Sequence, residues 1–401
     1  MPTLFQINTT ANWDSTGRIA EDIGQLAMAA GWESYIAWGR CSGVSRSRLI
    51  RIGTRWGVYA HVLATRVFDR HGLASIRATR RLVRRIEEIR PDIIHLHNIH
   101  GYYLNFPILF QYLSQCEIPV VWTLHDCWAF TGHCTHFDRE GCARWKEGCC
   151  ECPLTHIYPA SLLADRSSRN YLDKKACFTA RNNLTLVPVS HWLAGEVRSS
   201  FLKGKPMRVI HNGVDSNLFS PRIGPDSGLK GQFVILGVAS VWTENKGFGD
   251  FLQLRKILPE EYVIVLVGLT PRQIRSLPKG IVGIGRTEDR MVLAGFYSMA
   301  DVFVNLTWED SFPMVNIEAL SCGTPVVTFK TGGSVEALDE RTGYVVERGD
   351  IQGVAEKIRE IERLGQGYFQ RACRDRVLRL FDKDDCYKQY MFLYQELLKR
   401  P

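Results

Sequence analysis

The sequence predicts an α/β protein built from two doubly wound parallel sheets. Short apolar runs alternate with amphipathic segments from end to end. This rhythm pauses after Ile210 in a segment rich in Gly, Pro, Asn and Asp, and it restarts at Phe233. Alternating strand and helix patterns are typical of a parallel sheet covered by helices on both faces. The length of 401 residues suits two or three domains of roughly 100 to 200 residues each.

The first half begins with an apolar strand at 4–8. A polar loop, Asp14-Ser15-Thr16-Gly17, precedes a segment whose apolar residues recur at helical spacing as far as Gly31. Further short apolar runs predict strands at 35–38, 92–97, 120–125 and 186–190.

The second half repeats the same alternation. Its apolar runs predict strands at 233–239, 262–267, 282–284, 301–305 and 325–329, and the periodicity at 386–398 predicts a final helix that packs back on one of the halves. We therefore expect an N-terminal domain at 1–212, a linker at 213–231, a C-terminal domain at 232–385 and a terminal helix at 386–401.

The composition excludes several classes of protein. Hydrophobic residues make up 45% and charged residues 23% of the chain, a balance that argues against disorder. No apolar run reaches the roughly 18 residues that a membrane-spanning helix needs. The first residues lack a basic region followed by an apolar one, so we expect a cytoplasmic protein, either soluble or peripheral on the inner face of the membrane.

The positive charge is concentrated in one segment. The formal net charge is 50 − 42 = +8, yet residues 40–90 contain thirteen Arg, no Lys and three acids, a net charge of +10 that leaves −2 for the rest. The densest part has helical spacing that puts five arginines on one face: Arg77, Arg80, Arg81, Arg84 and Arg85. A solvated helix face and docking on an anionic membrane both fit this pattern. Nucleic acid fits less well, because no aromatic side chains interleave with the arginines.

The cysteines are concentrated in a second segment. Six of the twelve lie within residues 127–152. Four of them have the spacing C-x7-C-x6-C-x2-C, which suits a closed tetrahedral zinc site without a catalytic position: Cys134, Cys142, Cys149 and Cys152. Reduced thiols without a metal and a redox disulfide remain alternatives. Other candidate ligands lie nearby: Cys127, Cys150, His133 and His136.

Chemistry-bearing residues are expected where parallel strands end, because ligands bind outside the carboxyl ends of strands in such sheets. Asp310 and Glu318 lie eight residues apart after the strand predicted at 301–305. A further strand and the pair Gly332-Gly333 follow. Lys246 follows the strand predicted at 233–239, where its ammonium can reach a phosphate.

The sequence around these residues closely resembles the GT-B glycosyltransferases of the retaining family 4. That family's motif is two acids separated by seven residues and followed by E-A-x-x-x-G-x-P-V, which the segment EALSCGTPV at 318–326 matches. The resemblance extends to WTLHD at 122–126, VIHNGVD at 209–215 and NKG at 245–247. The segment WTLHD-x-W and its cysteine-rich continuation resemble enzymes that assemble bacterial exopolysaccharides of the colanic-acid type. The resemblance implies a GT-B fold, with two Rossmann-like domains facing across a cleft.

The resemblance also implies residue roles on the donor side. Lys246 is expected to stabilise the leaving diphosphate, and Glu318 to bind the ribose diol. Asp310 stands where relatives usually have Glu, and either Asp310 or its neighbour Glu309 is expected to contact the donor sugar. His125 is expected to contact the donor sugar as well.

Other candidates are expected at the phosphate or the acceptor. Backbone N–H groups at Gly332 and Gly333 are candidates for the phosphates. Candidates for the acceptor or a phosphate loop lie in the first half: Thr16, Gly17, His97 and Ser190. Relatives commonly carry Arg six residues before the lysine, whereas this chain has Ser240 there, with Trp242 nearby.

The predicted function is that of a retaining hexosyltransferase. It would move a sugar from a UDP- or GDP-linked donor to a saccharide acceptor, expected to be lipid-linked, in bacterial exopolysaccharide or lipopolysaccharide biosynthesis. No catalytic metal is expected, and no nucleic acid partner. A nucleotide-sugar epimerase or a phosphorylase on the same fold remains an alternative, and a zinc-clipped nucleic-acid-binding protein is a more distant one.

Overall fold

The computed structural model describes residues 1–180, 183–224, 229 and 231–399. The chain divides into two compact units, one containing Met1–His211 and the chain from Tyr387 onward, the other containing Asn212–Cys386. Within the predicted linker at 213–231, positions 225–228 and 230 lie outside the described residues, as do 400 and 401 of the predicted terminal helix.

The first unit contains a six-stranded parallel sheet. Its strands are β1 (Thr3–Ala11), β2 (Glu33–Ser42), β3 (Arg48–Arg51), β4 (Ile93–Leu96), β5 (Val120–Leu124) and β6 (Leu184–Pro188). The helices are α1 (Asp14–Ala29), α2 (Arg55–Phe68), α3 (Ile76–Ile89), α4 (Phe106–Gln115), α5 (Ser167–Thr179) and α6 (His191–Arg198). The strand order β3-β2-β1-β4-β5-β6 is typical of dinucleotide-binding folds, and it reverses direction between β1 and β4.

The second unit repeats this architecture. Its strands are β7 (Phe233–Val238), β8 (Tyr262–Val267), β9 (Ile281–Ile284), β10 (Val302–Asn305), β11 (Val326–Phe329) and β12 (Gly343–Val346). The helices are α7 (Phe248–Ile257), α8 (Pro271–Arg275), α9 (Arg290–Met299), α10 (Met314–Ser321), α11 (Ile351–Leu364) and α12 (Gln366–Leu380). The order β12-β11-β10-β7-β8-β9 places the reversal between β7 and β10, which is where a ligand is expected.

The predicted fold class is confirmed, because both sheets are parallel and covered by helices. Two strands were not predicted, and both have weak sequence signals. The segment RLIR of β3 carries two arginines and is mostly exposed at the sheet edge. The four-residue β12 begins at Gly343, whose φ of 152° brings it against the carbonyl of Val326, at the other edge.

The last helix, α13 (Lys383–Leu398), begins three residues before its predicted start. From Tyr387 onward it belongs to the first unit. Two buried tyrosines fasten it to the first sheet: the hydroxyl of Tyr394 lies 2.6 Å from Nδ1 of His95, and that of Tyr390 lies 3.0 Å from Oγ1 of Thr123. In the described part of the chain, no helix combines the length and apolar character needed to cross a membrane.

Candidate active site

Two histidines meet at the carboxyl ends of β4 and β5 in the first unit. His97 follows β4 and is 1% exposed, whereas His125 follows β5 and is partly exposed. Nδ1 of His97 lies 3.2 Å from Nε2 of His125. On its other side, Nε2 of His97 lies 3.0 Å from Oε1 of Gln6, a buried residue of β1. The three side chains therefore form one hydrogen-bonded row beside the point where the strand order reverses.

The Gln6 amide sets the direction of this row. Its Nε2 donates to the carbonyl of Ala20 at 2.7 Å, so its Oε1 faces His97 and accepts a hydrogen bond from the Nε2–H of that ring. Burial first, and then the neighbouring His95 and His125, hold the pKa of His97 well below its ordinary value, so the ring is neutral. Nδ1 of His97 is then an acceptor, and it accepts the Nε2–H of His125. This tautomer assignment follows from the hydrogen-bond network.

His125 therefore presents a lone pair at Nδ1. Burial is the main reason that its pKa falls to about 4, so the ring is neutral at physiological pH. A neutral ring with Nε2–H already donated can only accept at Nδ1. Both ring nitrogens of His97 make hydrogen bonds to protein side chains. His97 is also more deeply buried than His125, so it lies behind His125 in this row.

Asp126 stabilises the loop that follows β5. Its Oδ2 lies 2.8 Å from Nε2 of His100, and its Oδ1 accepts from the backbone N–H of Trp128 at 2.9 Å. Burial works to raise the pKa of Asp126, but His100 and the Trp128 N–H outweigh it and the pKa falls to about 2. A small pocket lies at this edge, and its lining includes His97, His100, His125 and Asp126.

Thr16 and Gly17 lie in the first turn of α1, after β1. The side chain of Trp13, at the N-cap, makes no capping hydrogen bond, and Oγ1 of Thr16 accepts from Nδ2 of Asn8 at 3.4 Å. A Cβ on Gly17 would lie 2.5 Å from Oγ1 of Thr10. The glycine is therefore needed for the close approach of α1 to the end of β1, whatever else it binds.

Ser190 caps a helix. It is fully buried, and its Oγ accepts from the backbone N–H of Leu193 at 3.1 Å at the start of α6. Serine is among the preferred residues for this position. Helix capping accounts for the residue, and a contact with acceptor or phosphate stays a prediction.

In the second unit, Lys246 lies at the end of a 3₁₀ turn, Glu244–Lys246, that follows β7. Its Nζ lies 2.8 Å from Oδ2 of Asp310 and 3.4 Å from Oγ1 of Thr307. The next residue, Gly247, has a φ of 75°, and a Cβ there would lie 2.4 Å from the carbonyl oxygen of Leu306. Only glycine fits this turn, and the turn brings Lys246 beside the segment that follows β10.

The adjacent acids Glu309 and Asp310 have different partners. Glu309 is 8% exposed, and its Oε2 accepts from Nδ2 of Asn245 at 3.0 Å. The side chain of Asp310 is 22% exposed and pairs with Lys246. The backbone carbonyl of Asp310 also accepts from the N–H of Gly333 at 3.2 Å. The second sheet thus brings together Lys246, both acids and Gly333 beside the reversal between β7 and β10.

Glu318 lies on α10 and accepts a hydrogen bond from the neighbouring helix α9. Its Oε2 accepts from the hydroxyl of Tyr297 on α9 at 3.0 Å. Burial first, and then the Glu318 carboxylate, hold the pKa of Tyr297 well above its ordinary value, so this hydroxyl stays a donor. Glu318 itself is partly exposed.

Several polar residues near this site of the second unit could not be identified from the sequence. Asn316 bridges Nδ2 of Asn305 and the carbonyl of Ser334, at 2.8 and 3.3 Å. The buried hydroxyls of Ser311 and Ser334 have no hydrogen-bond partner within the described residues. Asn245 gave a partial signal because it is part of the NKG motif, whereas the two asparagines and two serines look like ordinary strand, helix or loop residues.

The arginine that relatives commonly carry six residues before the lysine is not replaced by another cation at that position. Ser240 is exposed. Trp242 is only 6% exposed and its Nε1 donates to the carbonyl of Val267 at 2.9 Å, which makes it a core residue. Lys246 therefore carries the positive charge of this loop without help from either residue.

The four candidate zinc ligands lie in one region of the loop after β5. Burial first, and then the thiols of Cys152, Cys149 and Cys142, hold the pKa of Cys134 well above its ordinary value. Thiol groups suit zinc, but no three of the four sulfur atoms lie within 4.8 Å of one another among the described residues. The four thiols would have to move closer together to hold a zinc ion, and the zinc clip stays a prediction.

The loop is also secured without a metal. The ammonium of Lys174 on α5 is buried and donates to the carbonyls of Trp128 and Thr131 at 2.7 and 3.0 Å. Burial is the main reason that its pKa falls to about 7. Nδ1 of His133 lies 2.7 Å from Oδ1 of Asp69, and both side chains are fully buried.

Comparison with known proteins identifies the family. Residues 16–218, just over half of the chain, match the family model described as Glycosyltransferase Family 4. Residues 232–363 match the model described as Glycosyl transferases group 1. The chain is a family 4 glycosyltransferase. The family predicted from the motifs is thereby confirmed.

Relatives of this glycosyltransferase include a polysaccharide enzyme. It is 25% identical over 368 residues to the putative colanic acid biosynthesis glycosyl transferase WcaC of Escherichia coli K12, covering 87% of this chain and 88% of the relative. The fold is GT-B. It matches sucrose-phosphate synthase from Thermosynechococcus elongatus with a TM-score of 0.71 at 18% identity, over 99% of both chains. Anabaena HepE in complex with UDP-glucose matches with a TM-score of 0.65 at 15% identity, over 98% of this chain and 99% of that one.

Proposed function

We propose that this glycosyltransferase transfers a hexose, with retention of configuration, from a UDP- or GDP-linked donor to a lipid-linked saccharide. The product would belong to bacterial exopolysaccharide or other surface polysaccharide biosynthesis. The observation that carries the proposal is the pairing of Lys246 with Asp310, at 2.8 Å, beside the reversal of strand order in the second sheet. The names of two similar proteins agree with it, since one is a putative colanic acid glycosyl transferase and the other was solved with UDP-glucose.

Lys246 is the group that stabilises the leaving diphosphate. Its side chain is 40% exposed, and its Nζ contacts Asp310 and Thr307, so a phosphate oxygen can reach the third donor position of the ammonium. The negative charge on the diphosphate grows as the glycosidic bond breaks, and a fixed cation stabilises that change more than the ground state. Asp310 keeps the ammonium in place before the donor arrives.

Glu318 binds the ribose of the donor. Glu318 is partly exposed and Tyr297 holds its carboxylate through Oε2, so the carboxylate can accept hydrogen bonds from the two ribose hydroxyls. Glu309 and Asp310 orient the transferred sugar, and the N–H of Gly332 is assigned to the phosphates, because the N–H of Gly333 already donates to the carbonyl of Asp310. In this assignment the acids bind the donor and do not attack the anomeric carbon.

The reaction proceeds on one face of the sugar. The bond to the diphosphate breaks through an oxocarbenium-like state, the acceptor hydroxyl adds from the same side, and the departing diphosphate takes its proton. His125 accepts a hydrogen bond from a hydroxyl of the transferred sugar at Nδ1. Because the ring is neutral, it adds no positive charge next to the positively charged transition state.

The first unit is proposed to dock on an anionic membrane surface through α3. This helix buries Thr79, Leu82 and Ile86. It leaves five arginines exposed on the opposite face: Arg77, Arg80, Arg81, Arg84 and Arg85. A basic helix face of this kind is attracted to anionic lipid headgroups, which is where a lipid-linked acceptor is found.

The proposal is tested with radiolabelled UDP-sugars and GDP-mannose and a lipid extract as acceptor. Label that moves into the lipid-extractable fraction supports a transferase. Free UDP with an epimerised sugar indicates an epimerase instead, and sugar phosphate formed from inorganic phosphate indicates a phosphorylase. Glu318→Ala is expected to abolish transfer, whereas Glu260→Gln, a control at a 91% exposed carboxylate of the same unit, keeps the wild-type rate.

A further inference from the structure

Helix α2 is oriented with its polar side inward. Its buried residues are His61 and Thr65. Trp56, Tyr59 and Leu63 are exposed by 82%, 64% and 64% respectively. At 3.6 residues per turn these three side chains lie on the side of the helix opposite the two buried ones. An amphipathic helix on the surface of a globular protein normally has the reverse orientation.

Hydrogen bonds fix this orientation. Nδ1 of His61 lies 2.9 Å from Oγ of Ser75, and Nε2 of His61 accepts from the backbone N–H of Gly72 at 3.0 Å. Oγ1 of Thr65 donates to the carbonyl of His61 at 3.0 Å. Turning the apolar side inward would leave these buried polar groups without partners, which is costly. The exposed apolar side is therefore a stable feature of the folded unit.

A second apolar segment lies beside the end of α2. The backbone N–H of Leu162 donates to the carbonyl of Arg66 at 2.7 Å. Leu162 and Leu163 are exposed by 71% and 79%. We call these two leucines, with Trp56, Tyr59 and Leu63, the apolar ridge. Exposed apolar side chains that cluster in this way mark an interaction site.

Much of the chain's positive charge lies in the same segment as most of the apolar ridge. It lies within or beside the segment 40–90, which contains thirteen Arg and a net charge of +10. Arg55 and Arg66 are on α2 itself, and the contact between His61 and Ser75 joins α2 to the start of α3 with its exposed arginines. Tryptophan, tyrosine and leucine combined with arginine are typical of helices that lie in a membrane interface.

We propose that α2 lies in the plane of an anionic bilayer and inserts the apolar ridge at the boundary between headgroups and acyl chains. The arginines of α3 then contact the anionic headgroups. This deepens the proposed function, because a lipid-linked acceptor brings the enzyme to a membrane, but the membrane contact is measurable without turnover.

Charge favours a bilayer over the other occupants of such a surface. A second copy of the chain would bring one segment of net charge +10 against another, and like charges at an interface oppose association. A nucleic acid would satisfy the arginines but would leave the leucines of the ridge uncovered. An anionic bilayer offers negative headgroups and an apolar layer in the same surface.

The test is flotation with vesicles of phosphatidylcholine alone or mixed with phosphatidylglycerol, at low and high salt. The wild type is expected to float with the anionic vesicles and to remain partly bound at high salt, because apolar insertion is not screened. Trp56→Gln/Leu63→Gln is expected to lower binding at high salt by at least about tenfold. Tyr368→Gln, which replaces a side chain 61% exposed on α12, is the matched control and is expected to bind as the wild type does.

Three outcomes would overturn the inference: no binding of the wild type to anionic vesicles, equal binding of the wild type and Trp56→Gln/Leu63→Gln, or a wild-type dimer that this double variant converts to a monomer in analytical ultracentrifugation. The last would assign the ridge to an interface between copies. Binding of UDP-sugars by the same variants, measured by calorimetry, separates this question from the proposed function. A protein that floats but binds no nucleotide sugar would overturn only the latter.

Discussion

Nδ1 of His97 lies 3.2 Å from Nε2 of His125, and this contact has a direction because Gln6 fixes the tautomer of His97. The row Gln6, His97 and His125 ends in a neutral ring that can only accept. We infer that Gln6 and His97 are positioning residues that act on the reaction through His125.

Replacement of Gln6 by Glu tests the direction of this row. A carboxylate still accepts from Nε2 of His97, but its negative charge stabilises the protonated ring, so Nδ1 of His97 changes from acceptor to donor. His125 then loses its acceptor partner. We expect kcat to fall by about tenfold and the pH-rate profile to gain a new ionisation. An unchanged profile for Gln6→Glu would contradict the assigned tautomers, whatever the variant's stability.

The pH dependence of stability follows from the same histidines. The pKa of His125 in the folded chain, about 4, is depressed below the unfolded value of about 6.5. Its contribution to stability is therefore complete above pH 6.5 and is lost as the pH falls from 6.5 through about 4. The buried His95 and His97 act in the same direction. The free energy of urea unfolding, measured between pH 7.5 and 4.5, is expected to decrease toward acid, and a constant value would rule out this account.

Lys246→Ala is expected to lower kcat/KM by about 100-fold to 1000-fold, because the diphosphate loses its nearest cation during bond cleavage. Lys246→Arg keeps the charge and is expected to recover part of the rate. Lys279→Ala, at a lysine 93% exposed in the same unit, is the control. Steady-state kinetics with a saturating acceptor makes the comparison, and a Lys246→Ala rate equal to that of the control would remove the lysine from the mechanism.

The roles of Glu318 and Tyr297 can be separated by mutation. Tyr297→Phe removes the hydroxyl that donates to Oε2 of Glu318, at a cost to stability of about 0.5 to 1.5 kcal/mol. We expect a raised KM for the nucleotide sugar and a kcat close to that of the wild type, since the carboxylate remains but is held less firmly. A large fall in kcat with an unchanged KM would assign Tyr297 a more direct role.

The zinc clip is tested by elemental analysis of freshly purified protein, which is expected to contain about one zinc per chain. Cys149→Ser is expected to lose the metal and to lower the melting temperature. Cys150→Ser, at an exposed neighbouring cysteine outside the proposed set, keeps both. Absence of zinc from the wild type, under conditions without chelator, would contradict the zinc clip. The loop would then be held by contacts such as those of Lys174 and the Asp69–His133 pair.

The fold was predictable because buried parallel strands appear as continuous apolar runs. The run at Tyr262–Val267 coincides with β8, and all six of its residues are buried. The arginine-bearing edge strand β3 shows no such run, since an exposed edge places few demands on residue type. The sequence did not predict β12, the strand at the edge of the second sheet, for the same reason.

The sequence predicted where the residues of the candidate site lie on the sheets, but not which residues they contact. Lys246 and Asp310 both follow strands at the reversal point, yet their pairing is a contact across 64 residues. Gln6 lies within the apolar run of β1, and its partner His97 is 91 residues away. Sequence spacing gives helix faces and strand ends, whereas the direction of a hydrogen bond between distant segments requires the folded chain.

The most direct test of the central claim is the anomeric configuration of the transferred sugar. The enzyme is incubated with a carbon-13-labelled nucleotide sugar and the lipid acceptor, and the coupling constants of the product's anomeric centre are measured by NMR. The predicted result is a product with the donor's anomeric configuration, formed by the wild type and by Glu260→Gln but not by Glu318→Ala. An inverted product, or equal transfer by Glu318→Ala and the wild type, would contradict the mechanism proposed for this site.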